Sequence, residues 1–454
     1  MTKEPRVRSD VYRRYLLVLL TAMLLFNYVD RMALAVVLQD IKIDLALTDT
    51  QLGFLTGIGF ALFYALMGIP IARWADRGDR VLIISVTAVL WSAAVALCGI
   101  ARNFSQLLII RVVVGVGEAG CIPPAFSLIA EYFDRAERPR ATAIYAMGGA
   151  LSVAVGFFAC GWLNQFYGWR ITFMLVAAPG ILLAALAWFT LREPRRTQWT
   201  ASESTAFGLE TGVLHETQPA LTEVMAILWK NVTFRQLLWC LSILYLFVYG
   251  LLQWLPTFFI RSYGFTSGQI GIWLALTYGI GGLVGNYLGG ECASRFAADD
   301  ESLQLKGVAL ALLGSGIAAT LVYVSSNPYV SLALIGIYVL GTQAINGPFL
   351  ATIQTLIPPR MRAVSIALMF LVANLIGMGL GPLAVGALSD ALRPLAGGES
   401  LRYALLALAP AYCLGAFYSW RASRTVASDL CARAVHKDAS AFGVRASANV
   451  VHVD

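Results

Sequence analysis

Ala72-Arg73-Trp74-Ala75-Asp76-Arg77-Gly78-Asp79-Arg80 is an island of charge between two apolar runs, at approximately 51–72 and 81–101. A quieter version returns in the second half of the chain. There Gly290-Glu291-Cys292-Ala293-Ser294-Arg295 closes the run over 267–292, and Arg295 stands 218 residues after Arg77. A second landmark repeats at nearly the same offset. Arg140-Ala141-Thr142-Ala143-Ile144 opens the run over 141–163, and Arg362-Ala363-Val364-Ser365-Ile366, 222 residues later, opens the run over 363–389. Near-equal offsets at two landmarks predict a duplicated unit. Repeated helix bundles with a site at their interface near the bilayer midplane are the architecture of secondary transporters.

The runs themselves name the solvent. A crossing helix needs about 20 mostly apolar residues. Twelve runs qualify, at 15–37, 51–72, 81–101, 105–130, 141–163, 171–191, 235–260, 267–292, 306–325, 328–355, 363–389 and 401–420. The chain is 58% hydrophobic and 13% charged, against about 45–50% and roughly 25% in soluble domains. This excludes a disordered chain, a disulfide scaffold and a nucleic-acid binder. With alternating spans, 25 of the 33 Lys and Arg fall on the side of the termini, six on the other side and two within spans. Basic residues collect on the cytoplasmic face. The expectation is therefore an all-α protein of the cell (inner) membrane with both termini cytoplasmic. The +7 net charge reports orientation and not a ligand. Residues 1–191 should form one six-helix bundle and 235–420 the other. Between them, 192–234 is a linker in which Leu221, Val224, Met225, Leu228 and Trp229 are spaced as a short amphipathic surface helix. A polar tail, 421–454, should be poorly ordered. The seven cysteines read as small buried hydrophobes. His215, His436 and His452 lie outside the runs, so no metal site is expected. No catalytic signature has credible context, so the chain is not read as an enzyme. A channel is disfavoured by the duplication.

Twelve spans, a long middle loop and the D-R-x-x-R signature at Asp76, Arg77 and Arg80 resemble the major facilitator superfamily over about 1–420. Arg111-Val-Val-Val-Gly115-Val-Gly117-Glu118-Ala119 is similar to that family's span-4 motif. Together with Asn27-Tyr28-Val29-Asp30-Arg31 in span 1, it resembles the Spinster group. The resemblance implies lysolipid or sphingolipid-phosphate transport in animal members and proton-linked transport in bacterial ones. It also implies that spans 1 and 4 are neighbours.

Ionisable groups inside a membrane are expensive and are functional candidates by default. Asp30, Arg31, Arg111 and Glu118 are such groups, and the second half has none at similar depth. By helical rise Asp30 lies about 22 Å from one boundary and Arg111 roughly 9 Å from the other. In a core about 30 Å thick these levels nearly coincide, so the two can pair. Glu118, about two turns from Arg111, points the same way. Arg111 is thus expected to choose between Asp30 and Glu118. A buried carboxylate without a cation holds its proton, whereas a paired one stays ionised, so that choice couples protons to conformation. Asp30 and Glu118 are expected to carry the proton, the only coupling ion and the only cofactor. Arg111 and Glu118 are expected at the substrate. The alternative is a clamp between spans 1 and 4. Arg31 points about 100° from Asp30 and is expected to snorkel outward or seal an outer gate. Asp76, Arg77 and Arg80, with Arg140 and Arg295, are expected to latch the inner side. Glu131, Arg138 and Arg140 are candidate partners, and a solvated turn is the alternative.

Three stripes offer cavity walls. Span 7 places Tyr249 near Gln253, span 10 sets Gln343 and Asn346 three apart, and span 11 sets Phe370 and Asn374 four apart. An amide is costly against lipid, so it should face a cavity. A charged first half opposite an uncharged second half suits an amphipathic anion carried by a monomer within the bilayer. The alternative is proton symport of a small organic anion such as a sugar acid or an aromatic acid. Pro70, Pro123, Pro124, Pro256 and Pro348 should bend their helices.

Overall fold

In the computed structural model, residues 9–134, 136–194, 221–298, 300–358 and 361–448 are described, apart from the side chains of Asp76, 221–224, Ala363 and 432–448. Among them, ten apolar helical stretches are long enough to cross a membrane. Two of these, Arg138–Thr190 and Val364–Cys431, have 53 and 68 residues and cross twice, giving the twelve crossings of the sequence reading. Span 1 is Asp10–Leu45, span 3 is Arg80–Cys98, span 7 is Val232–Tyr263, span 8 is Ser267–Phe296 and span 9 is Glu301–Val324.

The duplication is written in the helix starts. A helix begins with unsatisfied N–H groups, which a Ser, Thr, Asp or Asn side chain can accept from. Thr48 opens span 2 with a capping box to Gln51, and Thr266 opens span 8 with a capping box to Gln269. These caps are 218 residues apart, the same offset as Arg77 to Arg295. Asp79 caps span 3 and Asp300 caps span 9. Asn103 caps span 4 and Asn327 caps span 10.

The breaks repeat as well. Span 4 runs as Phe104–Glu118 and then Ile122–Tyr132, with Pro123 and Pro124 just past the break. Span 10 runs as Pro328–Ala344 and then Asn346–Leu356, with Pro348 in the new first turn. Proline is tolerated there because its missing N–H is one that a helix start leaves unpaired anyway. Span 2 breaks at Gly57, between Asp49–Thr56 and Ile58–Arg77. Pro70 and Pro256, expected to bend their spans, sit inside helices that continue past them.

Two expectations need correction. Spans 5 and 6 are joined without a loop: the helix Arg138–Thr190 turns only at Gly168, whose φ of 76° favours glycine. The segment after Arg421 is helical to Ala448, as a continuation of span 12 beyond the turn at Ala409–Ala411. The linker helix is present as Leu221–Lys230, and 195–220 lie outside the described residues.

The halves meet at the end away from the termini. Arg261 of span 7 donates to both carboxylate oxygens of Asp49 at 2.8 Å and to Gln39 at 2.6 Å. Lys42 and Ser389 also reach Asp49, at 2.5 and 2.7 Å. Asp390 accepts from the backbone N–H of Asp49 and Thr50 and from the Thr50 hydroxyl. On the opposite flank Gln165 accepts from Thr266 and from the N–H of Gly268. Hydrogen bonds described at the end bearing the termini join residues of the same half, as Arg13 to Glu137 and Thr233 to Asp429 do. The bundle is therefore shut at the far end and parted at the terminal end.

Candidate functional site

Span 1 faces the broken span 4 at mid-height, and four charges meet there. Asp30, Arg31, Arg111 and Glu118 are 1%, 6%, 1% and 0% exposed. Arg111 Nη1 reaches Asp30 Oδ2 at 3.5 Å. Arg31 donates from Nη2 and Nε to Glu118 Oε2 at 2.6 and 2.8 Å. The sequence expectation let Arg111 choose between Asp30 and Glu118 and sent Arg31 outward; Arg111 does meet Asp30, while Glu118 is held by Arg31, which turns inward. Glu118 is the last residue of its helix, where the helix dipole is unfavourable to an anion. It needs a close cation, and Arg31 supplies a two-point contact.

Aromatic rings complete the setting. The Arg31 guanidinium lies 4.5, 4.8 and 5.1 Å from the ring centres of Tyr28, Phe60 and Tyr64. Arg111 lies 5.1 Å from Phe60, so one ring touches both cations. Span 4 approaches this closely because of its glycines. A Cβ on Gly115 would meet the Phe60 carbonyl at 3.0 Å, and one on Gly117 would meet Trp91 at 2.7 Å. The G-x-G spacing thus seats span 4 against spans 2 and 3.

A cavity of about 270 Å³ opens beside the cluster. The first half contributes Tyr28, Arg31, Phe60 and Arg111; the second contributes the span-7 stripe of Leu244, Tyr245, Val248, Tyr249 and Leu252, with Gln343 and Asn346 of span 10. A family model described as Major Facilitator Superfamily matches residues 20–382.

The chain belongs to the major facilitator superfamily.

Within that superfamily it falls in the Spinster-like group. The chain superposes on the crystal structure of a bacterial homologue of the human lysosomal transporter Spinster, inward-facing and unoccupied, with a TM-score of 0.82. The two are 30% identical, covering 93% of this chain and 99% of that one. An MFS-type efflux pump of Mycolicibacterium smegmatis is 31% identical over 410 residues, 89% of this chain and 91% of the relative. A probable sulfoacetate transporter of Cupriavidus necator is 28% identical over 325 residues, 69% of this chain and 72% of the relative. The chain is thus a multi-pass membrane transporter and not an enzyme.

Not every wall residue expected in this transporter reaches the cavity. Arg111, Tyr249, Gln343 and Asn346 line it; Glu118, Gln253, Phe370 and Asn374 do not. Asn374 is engaged within its own half, accepting from the Tyr249 hydroxyl at 3.0 Å and donating to the Phe370 carbonyl. Phe370 instead packs near Tyr245, at 6.3 Å between ring centres. Gln253 is buried where span 7 approaches the closed end. Asn286 of span 8 was missed, and it accepts from Asn346 at 3.2 Å. The glycine-rich patterning of its span gave no amphipathic signal. Tyr28, Phe60 and Tyr64 were missed as cation partners because ring contacts between helices leave no spacing in the sequence.

At the terminal end the expected latch is divided. Arg80 is buried and pairs with Glu131 and with Glu193, the latter at 2.5 Å. It also donates to Ser127 at 3.0 Å. Arg80 thereby ties span 3 to span 4 and to the chain leaving span 6. Arg77 and Arg140 are exposed, and Arg295 pairs with Glu291 of its own helix. The Asp76 side chain lies outside the described residues. The two halves of the latch are not brought together in this parted state.

Proposed function

We propose that the chain is a proton-coupled carrier of an amphipathic anion, such as a lysolipid or sphingolipid phosphate, working as a monomer by alternating access. It would sit in the cell's inner membrane with both termini cytoplasmic. The observation that carries this reading is the buried charge cluster facing a wall of aromatic and aliphatic side chains. A headgroup suits the cations of the first half, and a tail suits span 7.

The coupling follows from the pairing. Asp30 Oδ1 and Glu118 Oε1 are buried without a donor, and both belong to the one cluster formed with Arg31 and Arg111. Two carboxylates so placed are suited to share one proton. Arg31 lines the cavity and Glu118 does not. Protonating Glu118 removes the charge that holds Arg31, and the guanidinium becomes free for an anionic headgroup. Unprotonated Glu118 takes it back and releases the substrate. In the opposite state Asp76, Arg77, Arg140 and Arg295 would close the terminal end.

The test is flux in proteoliposomes with and without a pH gradient. An Asp30→Asn carrier should bind substrate yet lose stimulation by the gradient; retained stimulation removes Asp30 from the scheme. A second reading is symport of a small organic anion. It is favoured by a cavity of about 270 Å³, just below the roughly 300–1,000 Å³ of small-molecule sites. The sulfoacetate transporter's name points the same way. Competition by a series of acids of rising chain length separates the two: affinity that climbs with the chain supports the amphipath, and affinity that falls supports the small anion.

A further inference from the structure

A second hollow, about 670 Å³ in volume, lies wholly within the second half. It is larger than the central cavity at about 270 Å³, and no first-half residue lines it. Its walls are the terminal ends of spans 8 and 9, and its floor is the break in span 10, with Ala344, Ile345 and Pro348. Phe296, Leu303, Leu310 and Trp420 line it while remaining 75%, 44%, 72% and 45% exposed. They look outward from helices apolar enough to cross a membrane, so the bilayer is what covers them.

One lining residue is charged, Lys306. It is exposed and has no ion pair among the described residues. It stands five residues past the start of span 9 at Glu301, about 7.5 Å along the helix. That is headgroup depth on the side of the termini. A tryptophan at the same rim is the usual companion of a headgroup region. An apolar trough with a single free ammonium at its mouth is complementary to an acyl chain below a phosphate.

We propose that this groove binds an anionic phospholipid of the leaflet on the side of the termini, with its phosphate at Lys306 and a chain along spans 8 and 9. Occupancy bears on transport through the floor. The backbone of span 8 already touches the break, since a Cβ on Gly289 would overlap the Ala344 carbonyl. The same break carries Gln343 and Asn346 into the central cavity. A chain seated against Ile345 and Pro348 therefore supports the geometry of those two amides.

The test is native mass spectrometry of the full-length protein, delipidated and titrated with phosphatidylglycerol or phosphatidylcholine. Lys306→Ala should weaken phosphatidylglycerol binding about fivefold and leave phosphatidylcholine unchanged. A Cβ at Gly307 meets nothing within 4 Å, so Gly307→Leu should fold, fill the groove and weaken both lipids. Glycerol phosphate, a headgroup without chains, should not compete. In proteoliposomes, phosphatidylglycerol should alter the transport rate of the wild type and not that of Gly307→Leu. Unchanged phosphatidylglycerol preference in Lys306→Ala, or full competition by glycerol phosphate, overturns the site. Equal lipid dependence of transport in Gly307→Leu overturns its link to span 10.

Discussion

The breaks in spans 4 and 10 are one structural event with two chemistries. Each interrupts a span near mid-height, and each has a proline just beyond it. The first ends on Glu118, a carboxylate buried at the end of a helix. The second is flanked by the neutral amides Gln343 and Asn346, which bond to each other at 3.1 Å. The charged break needs a partner from another helix and obtains Arg31. The neutral break bonds within itself and to the amide of Asn286 on span 8, and needs no counter-charge. Duplication thus supplied two equivalent sites for a polar group at a helix break, and only one was made dependent on a counter-charge. A group that depends on a partner can report when that partner leaves.

The sharpest way to break this comparison is to remove one member of the charged pair. Arg31→Met should cost about 3–5 kcal/mol, because it strands a buried charge, and it should abolish transport. Chemical unfolding and flux measure both, and near-normal stability would show that Glu118 never needed Arg31. Next in size is the far-end seal. Asp49→Asn leaves Arg261 and Lys42 facing a neutral group. It should shift the equilibrium toward the state open at the far end by about 1–3 kcal/mol. Reactivity of a cysteine placed near Gln39 would rise roughly 5–150-fold, and an unchanged rate would remove Asp49 from the seal. A third test acts on backbone contact. A Cβ on Gly57 would meet the Gly379 carbonyl at 2.4 Å, so Gly57→Ala should cost about 1–3 kcal/mol through overpacking. A thermal melt that did not fall would mean the two helices separate freely there. The smallest effect belongs to the neutral break. Asn346→Ala should weaken substrate binding by about 0.5–1.5 kcal/mol, read as a several-fold rise in KM with little change in stability.

Much of this was open to a reader of the sequence, because lipid is an exacting solvent. Apolar runs had to be spans, basic residues had to choose a side, and the buried charges had to stand out. Arg31 was misjudged for a physical reason. A 100° step on a helical wheel describes where a Cβ starts, and a long guanidinium side chain can end elsewhere. The pull of Glu118 came from its place at a helix end, which depends on where span 4 breaks. Asn286 and the rings around Arg31 belong to contacts between helices, where one strand of sequence carries no periodic mark. The matched caps at Thr48 and Thr266 were readable all along, in a feature smaller than the repeat they confirm.

The closed end has a further property. Where span 2 meets span 11, Gly53 and Gly57 lie against the backbones of Pro382 and Gly379. Where span 5 meets span 8, Gly161 and Gly271 lie against each other, and an added Cβ would come within 3.1 Å of the opposing Cα. At these glycines both seams are main chain on main chain, and side chains cross them elsewhere, as Phe157 and Tyr278 do at 5.8 Å between ring centres. Interlocked side chains must change rotamer before two helices can part, and that makes a seam behave like a ratchet. The glycine stretches have no rotamers to reset, so there the halves can roll apart as smooth surfaces, and much of the hold falls to the polar bonds around Asp49 and Gln165. The barrier to opening is then set in good part by Asp49, a carboxylate only 1% exposed, in an ion pair that salt screens little.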